Sequence, residues 1–186
     1  MERERKREDY CIILDFLQHG YPFDKRPSHL KTSIAQGLGV TKFALLEIVP
    51  KKDMYLQPFE RVYIGDEERE EVDHVNGRIG VGRLTQTARS ELPHAIKALV
   101  EEREAEFVEF FNKAQPMSTR LHALELLPGV GKKHMWEIIK AREEKPFTSY
   151  EDIKQRVKLL SDPKKVLISR ILNEVEGKEK HLLFVR

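Results

Sequence analysis

Eight residues at the start of the last third of the chain, Leu126-Leu127-Pro128-Gly129-Val130-Gly131-Lys132-Lys133, leave the backbone few options. Proline cannot extend a preceding helix, and the residue before it is pushed toward extended geometry. Two glycines one residue apart permit a tight reversal and let a ligand approach the backbone with no Cβ in the way. On the near side, Leu121, Leu124 and Leu127 recur at helical spacing behind Ser118, a candidate cap. On the far side, Met135, Ile138 and Ile139 share one helical face. The predicted structure is helix, bend, helix. The N–H groups of Gly129, Gly131 and Lys132 then lie at the mouth of the second helix, where no intrahelical carbonyl reaches them. Oriented amides and the positive end of the helix dipole favour an anion. Val130 is the buried hinge of such a bend, and Lys132 and Lys133 add full charges beside it.

The pattern around the bend is helical. Thr148 and Glu151 have capping-box spacing, and Asp162-Pro163 reads as an N-cap followed by a first-turn proline. Gly177 stops the last helix. The run Leu159-Leu160-Ser161-Asp162-Pro163-Lys164-Lys165 echoes the first bend, one residue shorter and without its glycines. Upstream, Ile96, Leu99, Val100, Phe107, Phe110 and Phe111 recur at helical spacing. Ser90 is a candidate cap there, with Pro93 in the first turn, and Ala114-Gln115-Pro116 marks the end.

The first half of the chain has no helical period. Tyr10–Leu17, Ser33–Gly37, Lys42–Val49, Arg61–Ile64 and Val72–Val81 read as short strands. Gly37 and Gly39 suggest a bend or bulge, Pro50–Asp53 a turn, and Asn76-Gly77 a hairpin turn. Several short strands bent at glycines fit a small barrel of the oligonucleotide/oligosaccharide-binding type, the OB-fold. The chain is therefore predicted to be α+β. Residues 8–84 form an OB-like barrel, 85–115 a linking helix and 116–177 an all-α domain. Residues 178–186 form a tail, apolar enough over His181–Val185 to return to the barrel as a strand.

Composition excludes several classes. No stretch approaches 18 uncharged apolar residues, and mean hydropathy is −0.54, so no membrane-spanning helix is expected. The charged opening Met1–Asp9 predicts no secretory signal and a cytoplasmic protein. A single cysteine, Cys11, precludes an internal disulfide and a Cys-rich zinc site. It falls in a strand and is expected to be buried and inert. Residues 1–115 carry 18 Lys/Arg against 21 Asp/Glu, a net −3. Residues 116–186 carry 15 against 10, a net +5, and that basic third points to a phosphate-bearing partner.

Nothing nominates an enzyme. The seven histidines, at 19, 29, 74, 94, 122, 134 and 181, include no pair at zinc-ligand spacing on a helix. The acidic run Asp66–Glu71 reads as a solvated loop. The bend is not a Walker-type phosphate loop, since position 126 is Leu and Lys132 is not followed by Ser or Thr. Gly37-Leu38-Gly39 and Gly80-Val81-Gly82 lack the remaining glycine of a dinucleotide fingerprint. Trp136 is assigned to packing between the helices rather than to base stacking. Tyr10, Phe43, Tyr55, Phe59 and Tyr63 are available to a base-stacking barrel face.

Leu124, Leu127, Pro128, Gly129, Val130, Gly131, Ile138 and Ile139 together resemble the helix-hairpin-helix motif, and Pro146–Ile153 resembles the segment that usually succeeds that motif in a chain. That resemblance implies non-sequence-specific contact with backbone phosphates through the hairpin amides. Some members of that family also hold a monovalent cation on hairpin carbonyls, which here would be those of Glu125, Leu127 and Val130; no side-chain metal ligand and no cofactor is expected. Beyond the motif, Phe43–Pro50, Arg61–Gly65, Phe107–Asn112 and Thr119–His122 are similar to an archaeal family catalogued as domain of unknown function six-five-five. The resemblance covers about residues 8–186. It implies an OB-like barrel, a linking helix, a helix-hairpin-helix domain and nucleic-acid binding. Family genes lie near those for ribosomal and RNA polymerase components, which favours RNA over DNA.

The expected function is non-catalytic nucleic-acid binding through Pro128, Gly129, Val130, Gly131, Lys132 and Lys133, with Arg120 and Lys140 nearby. The alternative is an adaptor for a ribosomal or transcription-machinery protein. Its hairpin would be structural only, and its contact would be either the aromatic face of Phe107, Phe110 and Phe111 or the acidic side of that helix, Glu101, Glu102, Glu104 and Glu106.

Overall fold

The computed structural model describes residues 7–186; the first six residues of the charged opening lie outside the described residues. The architecture is α+β, a curled five-stranded antiparallel sheet and five α-helices. Its described residues divide into two compact units, one running to residue 95 and including 184–186, the other comprising residues 96–183.

The sheet unit contains β1 (Tyr10–Leu17), β2 (Ile34–Gly39), β3 (Leu45–Pro50), β4 (Arg61–Tyr63) and β5 (Val72–Arg78) in the order β4-β1-β2-β3-β5. Every neighbouring pair is antiparallel. β4 and β5 stand at opposite edges, so the sheet is a half-barrel. Its core gathers alternate residues of the strands, including Cys11, Ile13, Ala35, Leu46, Ile48 and Val62. Burial, with the Glu8 carboxylate second, pushes the Cys11 thiol far above its usual range, as expected of an inert cysteine.

At Gly37 the expected irregularity is a register shift on the partner strand: Ile13 faces Gly37 and Asp15 faces Gln36, so Leu14 of β1 is the extra residue. β2 itself runs through Gly37, where a Cβ would lie 3.0 Å from Ile48 Cδ1 and 3.1 Å from Cys11 Sγ. Asn76-Gly77 is not a hairpin turn. β5 continues through it with a register shift, because Glu47 faces Gly77 while Ile48 faces Val75. The unpaired Asn76 forms a bulge, and its Nδ2 donates to Glu47 Oε1 at 2.7 Å. Gly77 accommodates the bulge at φ +143°.

The predicted linking helix is two helices, α1 (Gln86–Glu102) and α2 (Glu104–Lys113), separated where Arg103 leaves helical geometry (φ −97°, ψ 33°). Thr85, not Ser90, caps α1, its Oγ1 accepting from Ala88 N at 3.0 Å. Pro93 therefore lies inside the helix rather than in its first turn. The division into units falls within α1, after Ala95.

The helical unit continues with a small hairpin, β6 (Pro116–Ser118) and β7 (Leu121–His122), a single 3-10 turn over Ala123–Leu126, and then α3 (Lys132–Glu144), α4 (Tyr150–Arg156) and α5 (Pro163–Val175). Ser149, not Thr148, caps α4, accepting from Asp152 N at 3.0 Å. Asp162 and Pro163 open α5 as expected. The tail forms no strand; it rejoins the sheet unit through Arg186, whose N–H donates to Lys42 O at 3.2 Å and whose carbonyl accepts from Arg78 Nη2 at 2.6 Å. Among the described residues, no helix is long and apolar enough to cross a membrane.

Candidate nucleic-acid interface

The arm before the bend is not the predicted helix. Gln115 O accepts from Ala123 N at 3.1 Å and closes the β6–β7 hairpin, so Ser118 lies in a strand rather than at a cap. His122 then caps the 3-10 turn. Its Nδ1 accepts from Leu124 N at 3.1 Å, while its own N–H donates to Glu125 Oε2 at 2.9 Å. Pro128 permits no continuation, and Leu127 before it is extended (φ −72°, ψ 135°). One turn therefore suffices to place Leu124 and Leu127 in the core.

The bend itself has the expected form. Val130 is buried, and its N–H donates to Leu127 O at 3.1 Å. Gly129 has φ +75°, a conformation an L side chain strains to adopt, and a Cβ placed on it would meet nothing within 4 Å. Gly129, Gly131, Lys132 and Lys133 are exposed, with Pro128 half-buried. Gly131 is the N-cap of α3 and has no side chain to offer. Its own N–H donates to His134 Nδ1 over a long 3.4 Å. Among the described residues nothing accepts a hydrogen bond from the N–H groups of Gly129, Lys132 or Lys133. The available amides are thus those of Gly129, Lys132 and Lys133, while Gly131, one of the three expected donors, is weakly engaged within the bend.

A buried ion pair holds the bend in place. Arg170 on α5 is 2% exposed and Glu174 is 4% exposed. Arg170 Nε donates to Glu174 Oε1 at 2.8 Å, its Nη1 to Leu126 O at 2.7 Å, and its Nη2 to His181 O. The pair was not identified in the sequence; its signal is an Arg and a Glu four apart on the inward face of an amphipathic helix. Leu126 O is thereby taken. Of the carbonyls nominated for a cation, that of Leu127 already accepts Val130 N–H, leaving it one lone pair. Among the described residues no group of three or more His, Cys, Asp or Glu is placed to hold a metal.

α3 buries Met135, Ile138 and Ala141 and exposes Lys132, Trp136 and Lys140. Trp136 is 63% exposed, which overturns its assignment to the core. The apolar stripe of α3 is narrow, and position 136 lies on its far side from Ile138. Arg142 turns inward, its Nη1 donating to Phe111 O at 3.0 Å and Ala114 O at 2.9 Å. Burial, and next the nearby Arg142 charge, hold His122 below its usual pKa and favour the neutral ring.

Elsewhere, Phe107 and Phe111 of the aromatic stripe are buried and Phe110 half-buried, so of the two expected adaptor contacts the aromatic one lies largely inside, while Glu101, Glu102 and Glu106 are exposed. Of the barrel aromatics, Phe43 is buried, Tyr63 half-buried, and Tyr10, Tyr55 and Phe59 exposed. Sequence reasoning missed a cluster on the sheet unit. Phe23, 66% exposed, stacks on Tyr21 at 4.8 Å, and the Arg83 guanidinium lies over both rings. Aromatics beside Pro22 in a polar loop were its only signal.

A family model described as "Protein of unknown function (DUF655)" matches residues 7–186. The chain belongs to that family. Uncharacterized protein MJ0038 of Methanocaldococcus jannaschii, an archaeal relative, is 41% identical over 186 residues, 99% of this chain and 82% of that protein. A crystal structure of Af1531 from Archaeoglobus fulgidus matches with a TM-score of 0.87 at 44% identity, covering 96% of this chain and 100% of that one. The curled sheet with its helices is thus a family architecture.

Proposed function

We propose that this protein is a non-catalytic, cytoplasmic nucleic-acid-binding protein, RNA favoured over DNA, whose bend at 128–133 grips backbone phosphates. In this reading the helical unit is of helix-hairpin-helix type, its first helix reduced to one 3-10 turn, and the half-barrel is OB-like. The observation that carries it is the mouth of α3, with a side-chain-free cap, amides of Gly129, Lys132 and Lys133 without acceptors, and two exposed lysines. Phosphate oxygens supply the missing acceptors and the negative charge. A monovalent cation fits only through carbonyl lone pairs left over at Glu125, Leu127 and Val130.

Polarisation titrations against single- and double-stranded RNA and DNA test the reading. Contact with two or three phosphates gives a log–log salt slope of about −2, hence roughly a tenfold to twentyfold loss of affinity between about 50 and 200 mM salt. Absence of binding at the lower salt, or binding unchanged in Gly129→Asp/Gly131→Asp, overturns it. An adaptor role has one observation in its favour, the exposed Phe23 on Tyr21 under Arg83. A protein partner that survives nuclease treatment and is lost in Phe23→Ala supports that reading instead.

A further inference from the structure

Beside the bend lies a groove of about 420 Å³ between the β6–β7 hairpin and α3. Trp136, Met135 and Ile139 supply its apolar lining, and Arg120, Lys132 and Arg142 its positive charge. Its one carboxylate, Glu125, already accepts the His122 N–H. Lys132, Trp136 and Lys140 succeed one another at intervals of four along the exposed face of α3, steps of about 6 Å. Among the described residues no carboxylate forms an ion pair with Arg120, Lys132 or Lys140. An indole left in water with an unpaired cation on either side is matched by a ligand with a flat apolar face and a negatively charged backbone.

We infer that this groove seats an unpaired nucleobase of a single-stranded nucleic acid, stacked on Trp136, with its sugar–phosphate backbone passing Lys132 and Lys140. The inference rests on the phosphate grip proposed above and deepens it, since amide–phosphate contacts accept paired and unpaired strands alike, whereas a ring in a groove requires a base free of its partner.

Trp136 is the chain's single tryptophan, so its emission reports this site alone. The test titrates the full chain with an RNA and a DNA oligomer, each single-stranded, as a duplex, and as an abasic strand of equal length and charge. The expected result is quenching by the base-bearing single strands and not by the abasic strand, with binding of the former about five- to hundredfold tighter. Trp136→Ala brings the base-bearing strand to the abasic level, and Trp136→Phe retains most of the difference. Far-UV circular dichroism confirms that both variants fold. Equal binding of base-bearing and abasic strands without quenching overturns the stacking site and leaves the phosphate grip standing. Quenching by the duplex as strong as by the single strand overturns the requirement for an unpaired base. Failure of every oligomer to bind overturns both readings. Quenching by an acidic, leucine-rich peptide but by no oligomer assigns the groove to a protein instead and overturns the inference.

Discussion

The bend at 126–133 and the bend at 159–165 each carry a leucine pair before the turn and a lysine pair after it, and each leads into a helix of 13 residues. They differ in what caps the helix. Asp162 turns its carboxylate onto Lys164 N at 3.0 Å and Lys165 N at 3.4 Å, so the mouth of α5 contains its own anion. Gly131 has nothing to turn, and among the described residues the amides of Lys132 and Lys133, both exposed residues, have no acceptor. The cap residue of two related turns thus separates a helix mouth filled by its own carboxylate from one whose first amides have no acceptor among the described residues. A glycine cap costs only a few tenths of a kcal/mol relative to aspartate, so the open mouth is compatible with a stable helix.

The strongest way to break the comparison acts on Arg170, whose α5 guanidinium holds the Leu126 carbonyl at the other bend. Arg170→Met strands Glu174 in the core and is expected to lower unfolding free energy by about 3–5 kcal/mol in a urea melt; Arg170→Met/Glu174→Leu recovers much of it. Gly131→Asp gives the first bend the cap of the second. Thermal stability is expected to stay level or rise slightly, while oligonucleotide affinity at low salt falls by roughly tenfold or more, because the new carboxylate takes the amides and repels phosphate. Asp162→Ala does the reverse at the second bend, a loss of about 1 kcal/mol of stability with oligonucleotide affinity unchanged. The smallest effect belongs to His122, which caps the turn before the open bend. Its lowered pKa means that the folded state prefers the neutral ring. Its contribution is complete above the usual value of 6.5 and is lost as pH falls from there toward the lowered folded value. His122→Asn keeps a capping acceptor and flattens that part of a stability–pH profile.

The two units were legible to different degrees. In the sheet unit, strand positions were readable from apolar runs and turn residues. The roles of Gly37 and Asn76 were not, because each depends on a neighbouring strand: Ile48 crowding one, and the Glu47 carboxylate bonding the other. In the helical unit, Pro128, Gly129 and Val130 were readable because their constraints are local. The leucine spacing of 121, 124 and 127 imitated a helix. A two-strand hairpin and one 3-10 turn bury Leu124 and Leu127 and half-bury Leu121 with fewer helical residues, and periodicity does not distinguish the two. Trp136 was misplaced because a tryptophan's ordinary preference for burial says nothing about the width of the apolar face beside it.

What the amino-acid order determined alone is backbone in origin. Proline stops a segment, glycine opens a positive φ, Asp162-Pro163 starts a helix, and a lone cysteine forms no internal disulfide. Those effects act within a few residues and need no partner. Which amides remain without acceptors, which carbonyl Arg170 holds, and whether an indole meets protein or water were decided by residues far away in the chain. Only tertiary packing brings these together, because a hydrogen bond or a buried face is a property of two surfaces rather than of one segment.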